Sequence, residues 1–309
     1  WPMTEAPIGV FDSGIGGLSI LQSLLAALPA EHFVYWADSG HAPYGEKTDA
    51  FVRQRSLAIA QHLIHKHHIK ALVVACNTAT AAAIHALRTQ HPQLILVGVE
   101  PALKPALKIT RTGHIGVIGT RGTLGSEKFH RLLSSLENQA RFSVQPCNGL
   151  ALAIEQSTHQ TLGNPATEQI DQLLQTYTRA MGEFGTAPGQ IDTLVLGCTH
   201  YVFAESALRM LLGPQVNLVS TGQPVALQTR RLLEAAGLLR NVQGQAQSQA
   251  QSTPPLASRI QLLTNGDLSS LQAAAARWLG LPHAACQLAG TETDNQADIE
   301  AAPEAAGPI

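Results

Sequence analysis

The sequence predicts an α/β protein with two similar lobes, each built on a parallel-rich sheet flanked by helices, and an active site in the cleft between them. Short, nearly unbroken runs of aliphatic and β-branched residues recur, as in strands buried on both faces of a parallel sheet. Apolar residues at helical spacing alternate with these runs. The same order of elements occurs in 8–80 and again in 115–201. In each case a strand is followed by a small polar loop, and a later strand ends at a cysteine.

The first predicted unit is a strand at 8–11, a polar loop at 12–17 and a helix at 18–28. The loop reads Asp12-Ser13-Gly14-Ile15-Gly16-Gly17, and its glycines are of the kind that can hold a phosphate through backbone N–H groups. The loop lacks the lysine of the GxxxxGK[ST] motif, and its glycine spacing differs from that of the GxGxxG fingerprint. Nucleotide binding is therefore disfavoured.

The first half continues with alternating strands and helices. A strand at 33–37 ends before Asp38 and a loop at 39–45, which contains Pro43-Tyr44-Gly45. A helix is predicted at 49–68, a strand at 71–75 that stops at Cys76, a helix at 79–88 and a strand at 94–97. Carboxyl ends of parallel strands share one edge of a sheet, so we expect both loops and Cys76 to face the same side.

Histidines are concentrated at the end of the helix at 49–68, where His62, His65, His67 and His68 occur. A metal site is one interpretation, because His65 and His68 are three residues apart on a helix. The other is a solvated last turn, where cations suit the helix dipole. We favour the second interpretation and predict no metal site.

The second half repeats the pattern from a strand at 115–120, which echoes 8–13 and is followed by a second small polar loop at Gly122-Thr123. We predict helices at 126–136 and 167–184, a strand at 142–145, a turn at 146–149 and a strand at 193–197 that stops at Cys198. A strand at 216–219, a helix at 224–238, a strand at 260–263 and a helix ending at 279 complete the ordered chain.

These elements predict a first lobe at 6–101 plus 216–282 and a second lobe at 102–215. The Gln/Ala/Ser-rich stretch at 241–258 is predicted to be a flexible surface insert of the first lobe. The Ala/Glu-rich tail at 283–309 is predicted to be disordered.

Composition narrows the class of protein. The chain has 309 residues and a net charge of −2, with no basic run that indicates nucleic-acid binding. We find neither a secretion signal nor an uncharged apolar run of about 18 residues, so membrane spanning and secretion are not expected. The four scattered cysteines indicate neither a disulfide scaffold nor structural zinc, and free thiols fit a cytoplasmic location.

Cys76 and Cys198 share a setting, since each ends a predicted buried strand and precedes a predicted helix. A helix N-terminus lowers the pKa of a thiol from about 8.5, and the thiolate is the reactive form. Free cysteine is often only a small buried residue, but a matched pair favours function. Two opposed thiols can remove a proton from one face of a carbon and deliver another to the opposite face, which inverts that carbon.

Other polar residues near these strand ends are candidates for assisting the thiols. Asp12 and His200 are placed to bind a thiol or move its proton. Ser13, Asn77, Thr78 and Thr199 are able to hold a carboxylate or an amine. Cys147 and Cys286 have no matching strand-to-helix setting and are interpreted as structural.

Four motifs in order resemble those of the glutamate racemase family, within the aspartate/glutamate racemases, and the resemblance spans about 8–281. They are Asp12-Ser13-Gly14-x-Gly16-Gly17, Pro43-Tyr44-Gly45, Ala75-Cys76-Asn77-Thr78-Ala79-Thr80 and Gly197-Cys198-Thr199-His200-Tyr201. The resemblance implies interconversion of L- and D-glutamate without pyridoxal phosphate, flavin or metal. It also implies supply of D-glutamate for peptidoglycan, and hence a role in cell wall biogenesis and cell shape.

The resemblance also implies roles for individual residues. It assigns Cys76 to D-glutamate and Cys198 to L-glutamate, with Asp12 and His200 as assisting groups and Glu155 as an auxiliary acid. It further implies that the substrate is held by Asp12, Ser13, Tyr44, Gly45, Asn77, Thr78, Thr199 and His200. The final strand and helix are expected to return to the first lobe.

The chain departs from the family pattern at Val202, where proline is usual, and at Ser220-Thr221-Gly222, where an Asp-containing turn is commoner. Two alternatives stay open. One is a racemase of the same two-thiol design acting on aspartate or a hydantoin, and the other is a non-catalytic amino-acid-binding or regulatory protein. The expected partner is the small-molecule substrate, and a homodimer is compatible with the sequence, which leaves the oligomeric state open.

Overall fold

The computed structural model describes residues 3–159, 165–240 and 255–290. These residues form two parallel sheets flanked by helices, as the sequence predicts. The first sheet has the strand order β10-β9-β2-β1-β3-β4. Its strands are β1 (Ile8–Asp12), β2 (Phe33–Ala37), β3 (Ala71–Val74), β4 (Ile95–Gly98), β9 (Ile260–Thr264) and β10 (Cys286–Leu288).

The second sheet is smaller and has the order β6-β5-β7-β8. Its strands are β5 (His114–Gly119), β6 (Arg141–Pro146), β7 (Thr193–Gly197) and β8 (Asn217–Val219). All its pairs are parallel, so the polar residues that follow β5 and β7 emerge at one edge.

Helices cover both sheets. They are α1 (Leu18–Ala27), α2 (Asp49–His67), α3 (Asn77–Gln90), α4 (Leu103–Ile109), α5 (Arg121–Leu124), α6 (Glu127–Ser134), α7 (Leu150–Gln156), α8 (Pro165–Met181), α9 (Glu205–Leu212), α10 (Gly222–Ala235) and α11 (Leu268–Leu279). Among them, no helix of the described ranges has the length and apolarity needed to cross a membrane.

The central strands of the first sheet are buried on both faces, which explains their unbroken apolar sequences. Val10 and Val73 belong to the apolar layer under α1 and α10, whereas their neighbours Phe11 and Val74 belong to the layer under α2 and α3. This alternation follows from the strand's two-residue repeat.

The histidines at the end of α2 are not arranged as a group that could hold a metal ion. His65 in the last turn is exposed, and so is His68, which follows the last residue of the helix in a left-handed conformation with φ of 50°. Within the described ranges, no group of three or more His, Cys, Asp and Glu side chains could hold a metal ion.

Two predicted boundaries need correction. The strand placed in the first lobe, β8, pairs with β7 through Val195 and Val219, so it belongs to the second sheet. The predicted disordered tail begins with ordered structure, because a 3-10 helix at His283–Ala285 leads into β10, which pairs with β9 and buries Cys286 in the apolar layer under α1 and α10. Residues 241–254 and 291–309 of the predicted insert and tail lie outside the described residues, and Leu256–Ser258 forms a short 3-10 helix.

Candidate active site

The two cysteines singled out by the sequence follow the carboxyl ends of strands in different sheets. Cys76 follows β3 and Cys198 follows β7, and their side chains are 5% and 6% exposed. Both thiols adjoin the glycine-rich loop after β1, because Cys76 Sγ lies 3.7 Å from Ser13 Oγ of this loop. On the other side, a Cβ added at Gly16 of the same loop would lie 2.3 Å from His200 Nδ1, and that atom lies 3.8 Å from Cys198 Sγ. The structure therefore brings the two strand ends to one buried site between the lobes.

Cys76 forms the N-cap of α3, where its Sγ accepts a hydrogen bond from Ala79 N at 3.4 Å and lies 3.7 Å from Ser13 Oγ. The prediction that the helix N-terminus eases its ionisation is wrong. Burial raises the pKa of Cys76 well above its ordinary value, and the carboxylate of Asp12 raises it further. The bonds from Ala79 and Ser13 lower the pKa, but the cost of desolvating a thiolate is larger.

Asp12 organises the glycine-rich loop after β1. Its Oδ2 accepts the N–H groups of Gly14 at 3.2 Å and Gly17 at 2.9 Å, while its Oδ1 is buried without a hydrogen-bond partner among the described residues. Burial raises the pKa of Asp12 to about 6, although His200 and the bond from Gly17 act in the opposite direction. Because the loop's N–H groups bind carboxylates of the protein itself, this loop is not arranged as a phosphate site.

The second thiol has its own polar neighbours. Cys198 Sγ lies 3.8 Å from His200 Nδ1, and His200 Nε2 lies 2.5 Å from Glu155 Oε2. Burial lowers the pKa of His200, but the bonds to Cys198 and Glu155 outweigh it and hold that pKa well above its usual value. The helix predicted after Cys198 is a 3-10 helix, Thr199–Ala204, and Cys198 makes no side-chain cap there.

Glu155 joins the two lobes. It belongs to α7, a helix that the sequence analysis did not predict, and its two carboxylate oxygens accept Ile15 N at 3.1 and 3.0 Å. Oε1 also accepts the hydroxyl of Ser39 at 3.1 Å. The run Leu-Ala-Leu-Ala-Ile that follows Gly149 was the available signal for this helix, but it has no side-chain N-cap.

A cluster of hydroxyl groups forms another contact between the lobes. Thr78 Oγ1 lies 3.0 Å from Thr120 Oγ1 and 3.3 Å from Thr123 Oγ1, and all three residues are buried. Thr120 and Thr123 were not among the predicted site residues. The echo between 115–120 and 8–13 was the signal that could have found Thr120, because it aligns this residue with Ser13.

The remaining residues that are predicted to bind the substrate border the same site, but their polar groups have different hydrogen-bond partners. Tyr44 donates its hydroxyl to Asp38, and Gly45 packs against Thr120. Asn77 donates to Val99 O at 3.4 Å, and its Oδ1 is buried without a partner among the described residues. The carbonyl of Thr199 accepts Ser19 Oγ at 3.1 Å.

The side chains of the two other cysteines make none of these contacts. Cys147 follows β6 and precedes α7, so the interpretation that it lacks a strand-to-helix setting is wrong. Its Sγ donates to Gln145 O at 3.5 Å, and burial raises its pKa to about 12. Cys286 lies in β10, at the edge of the first sheet farthest from β4.

Comparison with known proteins agrees with this geometry. Residues 8–229 match the model of the Asp/Glu/hydantoin racemase family. A glutamate racemase of Ectopseudomonas mendocina is 47% identical over 243 residues, which cover 79% of this chain and 88% of the relative. A glutamate racemase of Ralstonia pickettii is 43% identical over 276 residues, covering 89% of each chain.

Solved structures give the same result. A glutamate racemase isoform of Bacillus anthracis superposes with a TM-score of 0.75 at 30% identity, covering 93% of this chain and 98% of the other. The Escherichia coli glutamate racemase, solved with L-glutamate and the activator UDP-MurNAc-ala, superposes with a TM-score of 0.70 at 28% identity. That match covers 88% of this chain and 95% of the other.

Proposed function

The chain belongs to the Asp/Glu/hydantoin racemase family, and we propose that it is a glutamate racemase in which Cys76 and Cys198 exchange the α-proton of the substrate. It is an isomerase that interconverts L- and D-glutamate. The observation that carries the mechanism is that two buried thiols, each at the end of a strand of a different sheet, adjoin the same glycine-rich loop and have separate polar partners.

In one direction, the Cys198 thiolate takes the α-proton of L-glutamate, and the electron pair of the C–H bond remains on the α-carbon. Cys76 then donates its thiol proton to the opposite face of that carbon, giving D-glutamate and a Cys76 thiolate. In the other direction the roles reverse. A buried and protonated Cys76 suits the donor role, since burial raises its pKa.

The polar neighbours of the two thiols return each thiol to its starting protonation state after a reaction cycle. His200, in contact with Cys198 and Glu155, accepts and returns the proton on that side. Asp12 acts on the Cys76 side, where its pKa of about 6 lets it change protonation state near neutral pH. Glu155 keeps the imidazole oriented and stabilises its protonated form.

The substrate's charged groups find partners around the thiols. The unpartnered Oδ1 of Asp12 suits the α-ammonium group, which would also lessen the cost of a nearby thiolate. Ser13, Asn77 and Thr199 are placed for the α-carboxylate. The side-chain carboxylate is held by Thr78, Tyr44 and Gly45, to which we add Thr120 and Thr123.

We divide the chain into a first lobe at 6–101 and 220–290 and a second lobe at 102–219. The pairing of β8 with β7 supports a boundary after residue 219 instead of after residue 215. The packing of α10 on α1 and β4 supports the return of the chain to the first lobe after that boundary. With this division the thiols belong to different lobes, so a relative movement of the lobes would open the site.

The cellular role that we propose is supply of D-glutamate for peptidoglycan, and so for the cell wall and cell shape. A cytoplasmic location is supported by four free cysteines within the described residues. A homodimer is the assembly to test first, by size-exclusion chromatography with light scattering.

Isotope exchange tests the reaction directly. The protein incubated with L-glutamate in deuterium oxide should produce D-glutamate that carries deuterium at the α-carbon, because the proton delivered comes from a thiol in exchange with solvent. Chiral chromatography with mass spectrometry measures both products. Unlabelled glutamate that stays in the L form would falsify the proposal.

The family description also names aspartate and hydantoin. Parallel assays with these substrates decide among the members of the family, and faster turnover of either one would replace glutamate in the proposal. A non-catalytic binding protein is the remaining alternative. It gains support if Cys76→Ser and Cys198→Ser variants keep full function in cells that depend on this protein.

A further inference from the structure

We infer that Asp38 is a positioning residue whose buried carboxylate anchors the loop at 39–46 and thereby sets where Tyr44 and Gly45 meet the substrate. The inference rests on the proposed function, since it concerns binding of the substrate of that reaction. It adds a residue outside the four motifs, one that touches neither thiol in the described contacts.

Asp38 lies directly after β2 and is completely buried. Its Oδ1 accepts Arg55 Nη2 at 2.6 Å and Asn265 Nδ2 at 2.7 Å, and lies 3.3 Å from His41 Nδ1. Its Oδ2 accepts Arg55 Nε at 3.1 Å and the hydroxyl of Tyr44. One carboxylate is thus shared by the loop, by α2 and by the turn after β9.

The charge on Asp38 is maintained by its partners. Burial raises the pKa of this carboxyl, but hydrogen bonds from His41, Arg55 and Tyr44, with the charge of Arg55, reverse the effect and lower the pKa to about 2. Arg55 is only 1% exposed, so each charge depends on the other for compensation. The Asp38 carboxylate is therefore ionised near neutral pH, which keeps its hydrogen bonds to the loop in place.

The beginning of the loop is tied to the proton-transfer partners of Cys198. Asn265 accepts Gly40 N at 3.1 Å while it donates to Asp38, which fixes the first turn of the loop. One residue earlier, Ser39 donates to Glu155, and Glu155 contacts His200. The anchor therefore lies two contacts away from the imidazole.

The end of the loop is tied to the hydroxyl cluster. A Cβ added at Gly45 would lie 2.7 Å from Thr120 Cβ, which shows how closely the loop approaches the second lobe. Thr120 in turn lies 3.0 Å from Thr78 Oγ1. Tyr44 is hydrogen-bonded to Asp38, so Asp38 fixes the position of the residue that directly precedes Gly45.

A loosened loop should weaken substrate binding more than proton transfer, because the thiols are carried by β3 and β7 rather than by the loop. Asp38→Asn keeps the size of the side chain but removes the charge that Arg55 compensates. Asn265→Ala removes a neutral partner of Asp38 and of Gly40, so it leaves the buried ion pair intact. Asp49→Asn, at the exposed first residue of α2, is the matched control.

The experiment measures KM and kcat for glutamate in both directions, together with hydrogen–deuterium exchange of the amides at 39–46. We expect KM to rise roughly tenfold or more in Asp38→Asn, the size expected for loss of a hydrogen bond to a charged group. Asn265→Ala should raise KM less, kcat should change less than KM in both, and the loop amides should exchange faster. The control should match the wild type.

Wild-type KM and unchanged loop exchange in both variants would overturn the inference, as would a fall in kcat at constant KM. Thermal melts identify a variant that fails to fold, in which case Asn265→Ala decides the result. If the wild type does not turn over glutamate, the proposed function fails. Amide exchange still decides whether Asp38 anchors the loop.

Discussion

Glu155 Oε2 lies 2.5 Å from His200 Nε2, although the two residues come from different elements of the second lobe. The same carboxylate binds Ile15 N in the glycine-rich loop of the first lobe. A single side chain therefore orients the imidazole beside Cys198 and connects it to the loop that surrounds Asp12. This contact links the groups that we propose to transfer protons at the two thiols.

The pair should make stability depend on pH. The pKa of folded His200 is held well above the value of 6.5 expected in the unfolded chain, so the folded protein retains a proton that the unfolded chain loses. Its stabilising contribution is complete below about pH 6.5 and is lost as pH rises through the folded pKa. Urea denaturation between about pH 6 and about pH 9 should show this decline. Glu155→Gln should flatten it, whereas Glu234→Gln, in an exposed ion pair, should not.

Substitution of either Cys76 or Cys198 should greatly slow racemisation. Cys76→Ser and Cys198→Ser replace a thiol by a far weaker acid, and we expect a loss of roughly 10²–10⁴-fold in kcat, the usual range for a general acid or base. Circular dichroism measures racemisation of each enantiomer. Cys286→Ser changes a buried thiol in β10 and is the control. Near-normal racemisation by either variant would contradict the two-thiol mechanism.

Asp12 should account for an acid limb in the pH profile. Burial raises its pKa to about 6, so kcat/KM should fall as pH decreases through that value and the carboxylate gains a proton. Asp12→Asn should lower kcat/KM by roughly 100-fold or more and remove this limb. The profile is measured between about pH 5 and about pH 8. An unchanged limb in the variant would assign it to another group.

Gly16 should tolerate no larger residue, because a Cβ there would lie 2.3 Å from Nδ1 of His200. Gly16→Ala should displace the imidazole from Cys198 and lower kcat roughly tenfold or more. Gly290→Ala is a suitable control, since no atom lies within 4 Å of its added Cβ. Steady-state kinetics with a thermal melt for each variant separates lost alignment from lost folding. A fully active Gly16→Ala variant would mean that His200 can move without cost.

The hydroxyl cluster should contribute to substrate affinity. Thr120→Val keeps the shape of the side chain but removes the hydroxyl that contacts Thr78 and Thr123. We expect KM for glutamate to rise roughly tenfold with a smaller change in kcat, because the hydroxyl does not transfer the α-proton. Thr89→Val, on the exposed side of α3, should behave as the wild type. A kcat effect without a KM effect would argue against a binding role.

Much of the fold could be predicted because burial leaves a local trace in the sequence. Strands β1, β2 and β3 are buried on both faces, and their aliphatic runs reveal them almost to the residue. Thr48 caps α2 directly before position 49, where the start of this helix is predicted. Short edge strands were harder to assign to a sheet. Strand β8 has only three residues, and their sequence carries no pattern that indicates to which of the two sheets the strand belongs.

The site was predictable only as separate strand ends. Cys76 and Cys198 stand out because a buried apolar run stops at each thiol. Glu155 and Ile15 are 140 residues apart in the chain, and no local pattern predicts their contact. The anchor formed by Asp38 and Arg55 was missed for the same reason.

The sequence by itself determined most of the strands and helices and singled out the two thiols that we propose to carry the chemistry, because periodicity and residue type are local properties. Only the tertiary structure decided which of these groups lie close together and how burial and neighbouring groups act on the pKa of Cys76. The pKa of Cys76 shows the difference, since its position at a helix N-terminus predicted easier ionisation. Burial beside Asp12 reverses that effect, because the free energy of a buried charge depends on every group packed around it.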